Sequence, residues 1–318
     1  MLTRVEYIDN VFTEAVYNRR VELLDAIGKS RPFFQWLTSK GRVKERPSGL
    51  GLEYTVKTAK NTTATFLGRG GTIAVSDTEY RTLAKYDWKT AAASIVRYRI
   101  DEVKVSGEQK LVDYVNDKID ATKSDLIELL EEKLTVAGGG AADPEAINSI
   151  VSATPTVGTL GTIDRAKYDW FRNKQLTSSG AATTYLISDL GTLYRDCSKG
   201  PGGTPDVHLT TQTIHELYEA EATDVRRVTD NKVYDAGFGD LTYKGAPILW
   251  SEFVPAGCWY MLNSNFIELA IDDTIPLEMT EWKGPINQVG DRVAQLVMTL
   301  GLTTGNPRKH GVLTEIHS

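Results

Sequence analysis

The feature that most limits what this chain can fold into is one long helical signal, "SGEQKLVDYVNDKIDATKSDLIELLEEKLTVAGGG", which begins at Ser106. Ser106 and Gln109 have the spacing of a capping box, in which two side chains satisfy backbone N–H groups that the first helical turn leaves without partners. Leu111, Val115, Ile119, Thr122, Leu126 and Leu130 follow at steps of three and four, which places them on one stripe. Gly138 to Gly140 end the pattern. At 1.5 Å per residue such a helix spans roughly 45 Å, more than the usual globular helix. It reads as a strut for the rest of the chain.

On its N-terminal side the chain changes character twice. Residues 9–27, "DNVFTEAVYNRRVELLDAI", set Phe12, Val16, Leu23 and Ile27 on a helical stripe with Gly28 as the stop, which predicts a short amphipathic helix. "RPFFQWL" then puts Phe33, Phe34 and Trp36 beside a proline, which predicts an extended segment in need of an apolar surface, one that another chain could supply. Arg31, Lys40, Arg42, Lys44 and Arg46 stand against Glu45 alone between residues 31 and 46. Two readings of that basic arm are open, a solvated linker or an arm lying on an acidic neighbouring subunit. From about residue 50 to 100 the period becomes two. Leu52, Tyr54 and Val56 alternate with Glu53, Thr55 and Lys57, and Ile95, Tyr98 and Ile100 sit in a later β-like run. Between them "NTTATFLGRGGTIAVSDTEY" holds few core-sized residues, so the segment predicts a long two-stranded excursion with a flexible tip. An isolated hairpin is marginal in water, and something else must cover it.

Beyond the strut, "DPEAINSIV" predicts a helix, "SATPTVGTLG" a loop, "DRAKYDWFRNKQ" a second helix, and "TTYLIS" a buried strand running into "DLGTLYRDC". "SKGPGGTPD" breaks the chain at the surface, and "IHELYEAE" begins another helix. "DAGFGDLTYKGAPILWSEFVPAGCWYMLN", residues 235–263, reads as strands separated by Gly and Pro turns. The last segment carries a long strand with Val293, Leu296, Val297 and Leu300, apolar enough to be covered on both faces. Helices mixed with strands in this order predict an α/β or α+β lobe.

Catalytic and ligand motifs fail one by one. "AIGKS" ends as a phosphate-binding loop does, but the position five residues before Gly28 is Leu23 rather than glycine. "HELYE" has Glu219 where a zinc protease needs its second histidine. Gly237 and Gly239 lack the third glycine of a dinucleotide fingerprint. His208, His215, His310 and His317 form no ligand-spaced cluster and are expected at the surface. The acidic pairs Glu131-Glu132 and Asp272-Asp273 are expected on a solvated helix face and in a turn. Cys197 and Cys258 have no near partner and are expected reduced and silent. A formal charge of −6 argues against a chain built to grip nucleic acid. No run of about 18 apolar residues occurs, and the opening "MLTRVEYIDN" has no apolar signal core, so a cytosolic origin is expected. The expectation is therefore a non-enzyme with no cofactor and no metal.

The order of elements, an aromatic arm, a β excursion, a capped strut, an α/β lobe and a return of strands, resembles the major capsid proteins of tailed bacteriophages, with their HK97-like fold. "YKGAPILWSEFVPAGCWYMLN" is similar to that family's aromatic-Gly-x-Pro strand, Pro-Ala-Gly turn and following strand, at Tyr243, Gly245, Pro247, Pro255, Gly257 and Asn263. "DRVAQLVMTLGLTTGNPRKHGVL" is similar to its closing strand and Asn-Pro turn, at Asn306-Pro307. The resemblance implies an α+β fold with an N-terminal arm over residues 1–49 and an extended loop over 50–92. It implies a peripheral domain from 93–150 and 266–318 around the spine helix, and an axial domain over 151–265. It further implies a shell of pentamers and hexamers that encloses double-stranded DNA without sequence-specific binding, in a virion assembled in the host cytoplasm. A separate scaffolding protein, a portal and a decoration protein are the implied partners, with no membrane. Phe33, Phe34, Trp36, Arg42, Lys44, Phe66 and Arg69 are the implied assembly-interface residues. Lys57, Lys60 and Asn61 lie where some relatives cross-link lysine to asparagine, and no motif assigns them that role. An encapsulin compartment built on the same fold, a two-domain cytosolic enzyme and a tail-tube protein are the competing readings.

Overall fold

The computed structural model describes residues 32–49, 51–59, 63–76, 80–100, 108–136, 139–225, 241–274, 277–284 and 291–317. The expected helix over 9–27, the capping residue Ser106 and the glycines at 237 and 239 lie outside the described residues.

The first described element is a helix, α1 (Pro32–Ser39), where the proline pointed to extended chain. Proline occupies the first helical position, where its missing N–H costs nothing and its fixed φ is already helical. Phe33, Phe34, Trp36 and Leu37 are buried in the chain's own core, and Phe33 stacks on Trp36 with ring centroids 5.9 Å apart. The aromatic arm is thus covered within the subunit. Strand β1 (Val43–Arg46) follows, and β2 (Leu52–Lys57) pairs antiparallel with β3 (Arg81–Tyr86) to make the expected hairpin. Strand β4 (Lys89–Arg97) buries Ile95 but stops before Tyr98 and Ile100, which are exposed.

The strut is α2 (Glu108–Thr135), 28 residues or about 42 Å long. It lies along β4, and its stripe of Ile119, Leu126, Leu130 and Leu134 is buried. Glu131, expected on a solvated face, is buried as well, because it falls beside Leu130 and Leu134 on the packed side. A single helical turn, α3 (Ile147–Ile150), is all that "DPEAINSIV" forms. The expected helix at "DRAKYDWFRNKQ" is instead the end of a small hairpin, β5 (Thr159–Leu160) with β6 (Ile163–Asp164), then a 3-10 turn at Asp169–Phe171 and strand β7 (Lys174–Thr177).

"TTYLIS" is helical, not a strand, and begins α4 (Ala182–Ser198). Leu186, Leu190, Leu193 and Cys197 recur at helical steps and are buried, while the β-branched Thr183, Thr184 and Ile187 face outward, so packing overrides local strand propensity. Strand β8 (Val207–Thr210), helix α5 (Gln212–Val225), and strands β9 (Thr242–Tyr243), β10 (Ala246–Trp250), β11 (Trp259–Leu262), β12 (Ile267–Asp272), β13 (Glu278–Met279), β14 (Arg292–Thr304) and β15 (Gly311–Thr314) follow among the described residues.

Two sheets organise these strands. One has the order β1-β12-β14-β13, with β4 also paired to the long β14. The other has the order β7-β15-β11-β8-β10-β9. In the second, β7 runs parallel to β15 and β8 parallel to β10, with β11 antiparallel between β15 and β8. The crossovers β7–α4–β8 and β8–α5–β10 step across the sheet in one direction, so a shared handedness puts both helices on the same face. Sequence alternation along β11 shows it: Trp259 and Met261 pack with Leu186, Leu190 and Ile214 of α4 and α5, whereas Tyr260 and Leu262 join the larger core shared with the first sheet and α2. This explains why "CWYML" is apolar without a break. The strand β15 belongs to the second sheet, whereas β12, β13 and β14 lie in the first.

His208 and His310, expected at the surface, are fully buried. The backbone N–H of Asn263 donates to His310 Nδ1 at 3.2 Å, and Trp259 Nε1 donates to His208 Nδ1 at 3.3 Å. Burial holds both rings neutral, lowering their pKa to about 4 for His208 and about 3 for His310.

Candidate assembly surfaces

The hairpin is divided between a fixed base and an uncovered tip. Along β2 and β3, Leu52, Val56, Ala84 and Tyr86 point into the subunit and are buried, while Glu53, Lys57, Leu83 and Lys85 face out. Tyr86 Oη donates to the carbonyl of Thr304 on β14 at 2.8 Å, and burial raises its pKa. The N–H of Lys85 donates to the carbonyl of Gly161 at 2.9 Å. Gly161 and Thr162 both have positive φ, 54° and 65°, the conformation of a two-residue turn between β5 and β6. A Cβ at Gly161 would stand 2.9 Å from the Tyr86 ring, so only glycine lets the turn seat against the hairpin.

Beyond that base, residues 63–76 carry no helix or strand. Phe66 and Val75 are fully exposed, and Leu67, Ile73 and Tyr80 are largely so. Arg69 lies in the turn at the tip, also exposed. Several large apolar side chains on one projecting segment are what an interaction surface presents before its partner arrives. Phe66 and Arg69 lie on the same exposed segment. Phe33, Phe34 and Trp36 do not belong to it, because their own subunit already covers them.

The basic arm meets acidic and polar groups of its own chain. Strand β1 lies parallel to β12, from Val43 opposite Leu269 to Arg46 opposite Asp272. Arg42 Nη2 donates to Asn265 Oδ1 at 2.6 Å, and Lys40 Nζ stands 3.5 Å from Asp206 Oδ2. Glu268 of β12 collects the rest. Arg46 reaches its Oε1 with Nη2 at 2.7 Å and Nε at 2.8 Å, Lys44 Nζ stands 3.1 Å from Oε2, and Tyr54 Oη of the hairpin donates to Oε1 at 2.9 Å. Burial pushes the Glu268 carboxyl up, but the hydrogen bonds from Arg46, Tyr54 and Lys44 outweigh it and hold its pKa below the usual value.

Other residues that sequence reasoning missed organise the loops. Lys309 is buried and its Nζ donates to the carbonyls of Lys199, Gly200 and Gly203 at 3.0, 2.9 and 3.3 Å, closing the "SKGPGGTPD" loop. Asn263 caps the turn at Ser264–Phe266 and donates through Nδ2 to the carbonyls of Gly202 and Thr204. A signal for Glu268 was present in the sequence: it is the one charge inside the apolar run "FIELAI", with basic Arg42, Lys44 and Arg46 unassigned elsewhere. Among the described residues no group of His, Cys, Asp and Glu is placed to hold a metal, and no helix is long and apolar enough to cross a membrane.

No family model and no curated protein matches the sequence. Solved structures do. The chain is similar to the cyanophage A-1(L) capsid at 16% identity, covering 87% of this chain and 91% of that one with a TM-score of 0.65. It is similar to the capsid of the Myoviridae phage XM1 at 9% identity, covering 88% and 92% with a TM-score of 0.57. It is also similar to the SrpI encapsulin from Synechococcus elongatus PCC 7942 at 16% identity, covering 89% of each chain with a TM-score of 0.55. At such identities the likeness is one of architecture, and nearly the whole of each chain takes part. The hairpin, the spine helix and the two sheets together are the HK97-like fold of phage capsids and encapsulins.

Proposed function

We propose that this chain is the major capsid protein of a tailed phage, a structural subunit that closes into the head shell around double-stranded DNA. The observation that carries the reading is the hairpin, whose base is locked to β14 and to Gly161 while Phe66 and Val75 at its tip are left in water. A monomer gains nothing from holding apolar side chains on a fixed arm, whereas a closed assembly buries them between subunits. The HK97-like fold supplies the geometry for pentamers and hexamers. The formal charge of −6 suits a wall that contains DNA without gripping it. A separate scaffolding protein, a portal and a decoration protein are the partners this reading calls for, with assembly in the host cytoplasm and the virion as the final location.

The similarity to an encapsulin over 89% of both chains supports a second reading, a compartment shell that takes in cargo. One experiment separates the two. The chain is expressed alone and with its genomic neighbours, then examined by sedimentation and negative-stain microscopy. Rings of five and six, or shells that need a co-expressed scaffold, support the capsid. Uniform closed shells from the chain alone around a co-purified cargo protein support the compartment. A discrete small oligomer under every condition overturns both.

A further inference from the structure

Three separate parts of the subunit meet on the Glu268 carboxylate: strand β1 through Lys44 and Arg46, the hairpin through Tyr54, and the sheet that carries Glu268 itself. The side chain is almost fully buried, so its charge depends on those donors for compensation. Both oxygens are engaged, Oε1 by Arg46 and Tyr54 and Oε2 by Lys44. Strand β1 itself is short, has one paired edge, and is half-exposed along its length. It is held on β12 by four residues of parallel pairing, by these ion pairs, and at its two ends by the hydrogen bonds of Arg42 to Asn265 and of Ser48 to Asp272. Take β1 away and Glu268 loses both cations. The buried carboxylate then has one hydroxyl donor left, and Tyr54 is held only by its packing on the core and its edge contact with Tyr86.

We infer that Glu268 is a positioning residue that couples the docking of β1 to the direction in which the β2–β3 hairpin leaves the subunit. The hairpin is aimed when β1 is docked, and loosened when it is not. The tip carries the exposed apolar residues, so a small change of angle at Tyr54 is magnified along the arm. A subunit with β1 undocked would offer its tip to a neighbour in a different direction. The inference rests on the shell reading for its purpose, but not for its geometry.

The test uses the full chain below the concentration at which it assembles, with hydrogen exchange read at the amides of β2. Glu268→Gln is expected to speed their exchange about tenfold, the size of a lost charge-assisted hydrogen bond. Glu53→Gln, which breaks only the exposed cross-strand pair with Lys85, is expected to change it by less than about twofold. Lys44 supplies the decisive comparison. Lys44→Met is expected to speed exchange in β2 when Tyr54 is present and to have no effect on β2 in the Tyr54→Phe chain, because the route through Glu268 has then been cut. Equal effects of Lys44→Met in both backgrounds, or none in either, overturn the coupling. If Glu268→Gln does not fold, the Lys44 and Tyr54 variants, both at partly exposed positions, still give the answer. Failure to form any shell would sink the capsid reading and leave this result standing, while unmoved exchange in a chain that assembles would do the reverse.

Discussion

His208 and His310 are the residues with the clearest consequence for solution behaviour. Both are neutral and buried, with folded pKa values of about 4 and about 3, against about 6.5 for an unfolded histidine. Above pH 6.5 neither state binds the proton and the rings contribute no pH dependence. Below it the unfolded chain takes up protons that the folded chain refuses, so stability falls by about 1.4 kcal/mol per pH unit for each ring until the folded pKa is reached. Urea unfolding at pH 7.5 and 5.5 should therefore show a loss of about 3 kcal/mol from the pair, and a flat profile across that interval would contradict the burial. Gly311 makes a second prediction at this scale. A Cβ there would come within 2.6 Å of Cys197 Sγ and 2.8 Å of Leu193 Cδ1, both on α4. Gly311→Ala should cost about 1–3 kcal/mol by overpacking, read as a lowered urea midpoint with unchanged slope.

Among the elements, the spine helix and the hairpin should respond in opposite ways. Leu130 is buried on the face of α2 that meets the core, so Leu130→Ala should destabilise the subunit by about 2–5 kcal/mol, while Glu132→Gln on the exposed face should stay within about 0.5 kcal/mol. At the hairpin tip the pair Phe66→Ser and Val75→Ser should leave the melting temperature of the free subunit unchanged and abolish or weaken shell formation, since neither side chain is buried in the subunit. Removing residues 60–72 should likewise spare the helical signal in circular dichroism. Loss of the fold in either case would show that the tip supports its own chain. The two elements also differ in how legible they were. The spine helix declares itself because Ile119, Leu126 and Leu130 keep one period over about three turns. The hairpin is as plain in the alternation of Leu52 to Lys57. Helix α4 was hidden because Thr183, Thr184 and Ile187, strand formers by propensity, stand on its outer face, and its real signal is the wider spacing from Leu186 to Cys197. Helix α1 was hidden by a proline that ends a helix in most positions and starts one here.

At the scale of the whole molecule, the order of elements was readable while the contacts that join them were not. Glu268 and the arginine and lysine that reach it lie more than two hundred residues apart in the chain, and no local pattern reports such a pairing. A separation of 109 residues from Gly200 likewise hid Lys309, whose partners are the carbonyls of a loop that reads as plain surface turn. If the subunit closes into shells, its apparent stability should rise on assembly by mass action, with the assembled form unfolding at a higher temperature than the free subunit and the gap growing with concentration. Equal unfolding temperatures in scanning calorimetry would mean that subunit contacts contribute little. The second sheet carries a further consequence, one of timing. Strand β15 is the last described strand, yet it lies between β7 and β11, and among the described residues β7 pairs with no other strand. Such long-range closure is slow, because the loop entropy must be met before the contacts reward it. Until β15 is in place, β7 has no partner and β11 has a bare edge. A chain interrupted before that strand would lack an inner strand of the lobe rather than its margin, so an incomplete subunit has no near-native surface to present to a growing shell.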